Sequence, residues 1–160
     1  MSREVLWLVL VVLQTTTGWR TYTSLEDHFQ LKYPPKLQLH TSIISDYEKT
    51  LEFGTGTSRA LTLRVIDLNK YLPKTNTPNL QKYLVTLKAF PKYQEMRIAG
   101  KPVYGYVLCG RAACAQEAVF IQDNRMYDFS IGFEGNSDSM SFEKIPAEIQ
   151  SIIASIEFLA

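Results

Sequence analysis

The sequence predicts an α+β fold built on an antiparallel sheet. Eight segments read as strands, by alternation of apolar and polar residues or by β-branched and aromatic content, whereas only two stretches, about 79–90 and 145–156, repeat apolar residues at steps of three and four. The connections are short and carry Gly, Pro, Asn and Asp, so neighbouring strands return on one another. The order of strands, helix, strands, helix is that of an α+β domain rather than of repeated βαβ units.

Met1 to Gly18 (MSREVLWLVLVVLQTTTG) contains an unbroken apolar run of nine residues, Val5 to Leu13, preceded by Arg3 and followed by small polar residues. This is the layout of a signal peptide. Nine residues rise about 14 Å as a helix, roughly half of the hydrocarbon thickness, which is too short for a stable anchor. Thr16 and Gly18 supply the small residues before a cut, placing the mature start near Trp19. The competing reading is a buried N-terminal strand or helix, and Glu4 beside Arg3 weakens the positive leader. No Cys follows the run to carry a lipid, so the mature chain is expected to be soluble, secreted or extracytoplasmic (periplasm, cell surface or lumen), with no transmembrane span. Residues 19–160 are expected to form a single domain.

His28 to Tyr33 is a short strand closed by the corner Pro34-Pro35. Lys36 to Ile43 (KLQLHTSI) sets Leu37, Leu39 and Ile43 on one side and Lys36, Gln38, His40 and Ser42 on the other. Tyr47 to Phe53 alternates again, and Ala60 to Leu68 follows across GTGTSR, which predicts a hairpin. Thr77 before Pro78 reads as an N-cap and first helical position, and Leu80, Tyr83, Leu84, Leu87 and Phe90 then mark one helix face up to Pro91. Strands are predicted at 93–99, 103–109, 114–121 and 126–133, with turns at Gly100-Lys101-Pro102, after Gly110 and at Asp123-Asn124. In the last strand Tyr127, Phe129, Ile131 and Phe133 form an aromatic stripe, expected to be core. A polar loop, 134–141, leads to Pro146 and a second helix with Ile145, Ile149, Ile152, Ile153 and Ile156 on one face.

The carriers of a wider pattern are Tyr22-Thr-Ser, Phe29-Gln-Leu-Lys-Tyr-Pro34, the helix containing Leu84, Ile98-Ala-Gly100, Asn124-Arg-Met-Tyr-Asp-Phe129 and Ile152-Ile-Ala-Ser-Ile-Glu-Phe158. Over residues 22–158 this layout resembles the PsbP-like family, named for an extrinsic protein of the photosystem II oxygen-evolving complex and including secreted bacterial members. The chain departs from it at Pro35, Lys36 and Leu37, where an aromatic residue is usual, and at His28, where Gly is common. The resemblance implies an α/β/α sandwich with a central antiparallel sheet and a role in docking to a protein or membrane-associated assembly.

Composition excludes more than it assigns. The formal charge is +1, and removing residues 1–18 takes away one Arg and one Glu and leaves it unchanged, so no positive field exists to hold nucleic acid. Cys109 and Cys114 flank a four-residue hairpin tip, a spacing that favours a structural disulfide over two free buried thiols. A redox pair lacks the two-residue spacing, and a metal site lacks further ligands near the pair, since His28 and His40 lie far back in the chain. Glu26-Asp27-His28 reads as a solvated turn, Ser141-Phe-Glu-Lys144 as a helix start rather than an acylating serine and lysine, and Gly54-Thr-Gly-Thr-Ser as a turn without the Lys of a phosphate loop. Lys88, Lys92, Arg97 and Lys101 read as a solvated face.

Tyr104 and Tyr106 share a strand face and are the candidate partner-binding residues, because tyrosine gives contact area at low entropy cost. The expected function is therefore a secreted, non-enzymatic binding module for a protein partner or envelope-associated assembly, with no catalytic residues, cofactor or metal. The alternatives are a small-molecule carrier or enzyme whose site is lined by some of the nine Tyr together with His28 or His40, and a structural protein needing oligomer contacts.

Overall fold

A computed structural model describes residues 17–55, 58–75, 79–111, 114–133 and 147–160. The expected signal segment up to residue 16, the Thr77-Pro78 start, the polar loop 134–141 and Ser141–Lys144 lie outside the described residues. The chain is α+β with two antiparallel sheets, of three and seven strands, where the pattern predicts a single central sheet. The described residues divide into two compact units at the expected corner: 17–34 together with 147–160 form one, and those from Pro35 to Phe133 the other. Among the described residues no helix is long and apolar enough to cross a membrane.

In the first unit, β1 (Arg20–Ser24), β2 (Phe29–Tyr33) and β10 (Glu157–Phe158) pair in the order β1-β2-β10. The turn between β1 and β2 holds Glu26, Asp27 and His28: the Ser24 hydroxyl donates to Asp27 at 2.7 Å, and His28 takes φ 56° with its side chain in solvent, as a turn residue. Helix α3 (Ala147–Ala154) buries Ile152 and Ile153. Just past it the Ser155 hydroxyl accepts from the Lys32 N–H at 2.8 Å and donates to the Ile152 carbonyl at 2.7 Å, satisfying a helix-end carbonyl and a strand donor together.

The second unit is the sheet β3-β4-β5-β9-β8-β7-β6, formed by Gln38–Ile43, Glu48–Thr55, Ser58–Asp67, Arg125–Phe133, Cys114–Gln122, Lys101–Cys109 and Gln94–Ile98 respectively. The β4–β5 hairpin forms as expected, with a register shift at Phe53/Gly54. Asp123 and Asn124 both take positive φ, 51° and 58°, in a two-residue turn that suits the twist of paired strands. The β6–β7 turn is Ala99-Gly100, at φ 50° and 79°, so Lys101 and Pro102 belong to β7 rather than to the turn.

Helix α2 (Leu80–Leu87) starts two residues later than Thr77-Pro78 predicts, because Asn79 caps it, accepting from the Lys82 N–H at 3.0 Å. It ends at Leu87; Lys88, Ala89 and Phe90 continue as tighter turns, each N–H bonding three residues back, before Pro91. A short helix absent from the sequence reading, α1 (Leu68–Tyr71), is capped by Asp67, and a 3-10 turn, Leu72–Lys74, follows it.

The strand register sorts the sheet's side chains onto two faces. One carries Leu51, Phe53, Leu63, Tyr127, Phe129 and Phe120, all buried, with Phe120 stacked on Tyr127 at 4.9 Å; of the predicted aromatic stripe Tyr127 and Phe129 are core, Ile131 is half-buried, and the side chain of Phe133 lies outside those described. The other is covered by α1 and α2: Leu87 of α2 and Leu68 of α1 join Ile66, Tyr106, Val119 and Met126 in one cluster, with Tyr83, Leu84 and Phe90 against it. Burying a leucine such as Leu87 stabilises by about 2 kcal/mol.

Candidate functional site

The helix-covered face of the seven-stranded sheet also holds charge. Cross-strand pairing sets Arg64 of β5 opposite Asp128 of β9, Ser130 of β9 opposite Glu117 of β8, and Glu117 opposite Tyr106 of β7. Because side chains alternate, these residues point to one side, beneath α2. Glu117 and Asp128 are 5% and 4% exposed. Charged groups are seldom so buried without partners.

Their partners are unequal. Arg64 donates from Nε to Glu48 Oε1 at 2.7 Å and from Nη1 to Asp128 Oδ2 at 3.2 Å. Glu117 Oε1 accepts only from the Ser130 hydroxyl, at 2.9 Å. Glu117 Oε2 and Asp128 Oδ1 are buried with no donor among the described residues, and the register places the two acids as diagonal neighbours on one face of β8 and β9. Burial, followed by the charge of Asp128, pushes the Glu117 carboxyl up to about 9. Burial also raises Asp128, against the opposing pull of its bonds to Glu117 and Arg64. Burial likewise lifts the Tyr83 and Tyr106 hydroxyls well above the ordinary tyrosine value, with Asp128 adding to it, so both stay neutral.

The tyrosines expected of a ligand site do gather here. Tyr47 and Tyr71 lie 5.6 Å apart between centroids, Tyr71 and Tyr83 6.4 Å, and Tyr106 stacks on Phe90 at 4.8 Å. Of the two histidines, His40 is exposed on the outermost strand β3, and His28 is exposed in the β1–β2 turn of the first unit. The acid cluster escaped sequence reading, yet left one trace. Glu117 and Asp128 are acids set among buried positions on both faces of their strands, in QEAVF and MYDFS.

Cys109 and Cys114 form the disulfide, pairing directly across β7 and β8 with Cα atoms 4.0 Å apart. Tyr104 and Tyr106 share the helix-covered face, as predicted, but fare differently. Tyr106 is 5% exposed and belongs to the core, so as a docking residue it has no surface to offer. Tyr104 is half-buried at the sheet margin, where it lines an open cleft of about 290 Å³ with Glu95, Met96, Arg97, Pro102 and Val103. That margin is β6, the last strand of the sheet. At the opposite margin, Ile43 and Ile44 are 80% and 60% exposed.

No protein-family model and no curated protein matches the sequence. Among solved structures, a protein of Bacteroides thetaiotaomicron is similar over 88% of this chain, at 10% identity and a TM-score of 0.52. The two share a fold. The chain spans about half of that protein, 48% of its length. The solution structure of cyanobacterial PsbP (CyanoP) from Synechocystis sp. PCC 6803 aligns with 88% of this chain and 92% of its own, at 11% identity and a TM-score of 0.48.

Proposed function

We propose that this chain is a non-enzymatic binding module, working outside the cytoplasm, that holds an extended segment of a protein partner or envelope-associated assembly along the free edge of β6. The observation that carries this reading is the open cleft at that edge, with Tyr104 in its wall. Among the described residues β6 pairs only with β7, so its outer backbone groups are positioned to bond a further strand. Glu95 and Arg97 frame the cleft with opposite charges, and Tyr104 contributes a rigid ring with a polar tip. The PsbP-like layout of the sequence supports a docking role. The enclosure of Glu117 and Asp128 beneath α2 supports a non-enzymatic one, and the disulfide supports an oxidising compartment.

Affinity capture from the extracytoplasmic fraction tests the reading. Wild type should recover a specific partner; Tyr104→Ala and Arg97→Glu should each weaken it about tenfold or more, and Ile43→Lys at the far edge should not. Capture indifferent to both edge substitutions, or turnover of a small substrate by the purified protein, would overturn the proposal. Intact mass of the same material should rise by two hydrogens on reduction.

A further inference from the structure

We propose that Glu117 and Asp128 share a single proton, carried by Glu117, and that this proton keeps α2 closed over the sheet, making the helix-covered face a pH-sensitive element. The inference is independent of the docking reading. Glu48, Glu117 and Asp128 are three carboxyl groups around one guanidinium, Arg64. Arg64 is engaged by Glu48 and Asp128, so Glu117 has no cation of its own. A second ionised carboxylate beside Asp128, with water excluded, costs several kcal/mol.

The unpartnered oxygens make the same point by geometry. Glu117 Oε2 and Asp128 Oδ1 are buried acceptors without donors among the described residues, on acids that the strand register makes diagonal neighbours on one face. Two neighbouring buried carboxyl groups can be joined by a hydrogen bond when one of them carries a proton. Arg64 holds Asp128 as the anion, at 3.2 Å, which leaves the proton to Glu117, whose other oxygen already accepts from the neutral Ser130 hydroxyl at 2.9 Å.

Every element packed around the pair contributes to this choice. Tyr83 from α2 and Tyr106 from β7 are neutral hydroxyls in electrostatic contact with both acids, and Tyr71 from α1 stands against Tyr83. From β4 and β5 come Glu48 and Arg64, while Lys82 and Lys88 of α2 are exposed. The helix thus brings aromatic cover and no cation to Glu117. When the proton leaves, the uncompensated charge gains most from water, and water enters by displacing α2.

The test combines carboxyl-carbon NMR titration of Glu117 in the whole protein with amide exchange of α2, using α3 amides as an internal reference. Glu117 should remain protonated at pH 7 and titrate near 9. The ratio of α2 to α3 exchange should climb by up to about tenfold per pH unit between pH 5 and pH 9 and then level off. In Glu117→Gln, whose amide donates permanently, the ratio should stay flat. A Glu117 midpoint below pH 6, or a flat wild-type ratio, overturns the proposal. Should the Gln variant fail to fold, the two wild-type measurements still decide it.

Discussion

Glu117 shows how one side chain ties stability to pH. Its folded-state value lies near 9 against 4.5 for an exposed glutamic acid, so between those pH values the folded chain holds a proton that the unfolded chain has released. Stability from this group is complete below about pH 4.5 and is lost as pH rises through 9, at up to about 1.4 kcal/mol per unit. Glu117→Gln has nothing to titrate there. Thermal unfolding at pH 5, 7 and 9 should show the variant gaining on wild type step by step as pH rises. Equal transitions at all three would place the proton elsewhere.

Helix α2 separates two kinds of contribution, one local and one tertiary. Asn79→Ala removes the acceptor for the Lys82 N–H and should cost about 1 kcal/mol. Leu87→Ala empties a position 2% exposed and should cost about 2–5 kcal/mol, because the surrounding sheet residues cannot collapse into the gap. Urea denaturation of the two variants measures the difference, and a cap loss exceeding the core loss would contradict this account. The helix face was legible in the sequence, from Leu80 to Phe90, but its start was not. Thr77 before Pro78 has the cap chemistry the sequence reading relied on, but the structure caps the helix two residues later with Asn79. Helix α1 was missed because four residues complete little more than one turn and show no period. Turns were read best: Asp123-Asn124 lies where predicted, since residues tolerant of positive φ announce themselves. The acid cluster was illegible for a different reason. Arg64, Glu117 and Asp128 come from three strands, and only their register places them together. Tyr104 and Tyr106 make the same point, because alternation gave them one face while only the placement of Phe90 decides which ring is covered.

At the scale of the whole molecule the disulfide fastens one hairpin and little else. Cys109 and Cys114 are five residues apart, so closing their loop stabilises by about 2 kcal/mol on the chain-entropy estimate. Full reduction should lower the melting temperature by a few degrees and leave the far-ultraviolet circular dichroism unchanged. Loss of the folded signal on reduction would show that the crosslink does more than pin the β7–β8 tip. The corner predicted at Pro34-Pro35 lies where the chain passes from one compact unit to the other, yet the sequence did not reveal that β2 would take its second neighbour from the far end.

That pairing, Gln30 with Glu157 and Phe29 with Phe158, sets an order of events at the ribosome. Every strand of the seven-stranded sheet has been synthesised by residue 133, whereas β2 must wait with one edge bare until β10 is made. A nascent chain halted shortly before Glu157 would thus display an unfinished three-stranded sheet, its bare β2 edge a template to which a general chaperone could bind until β10 arrives to cover it.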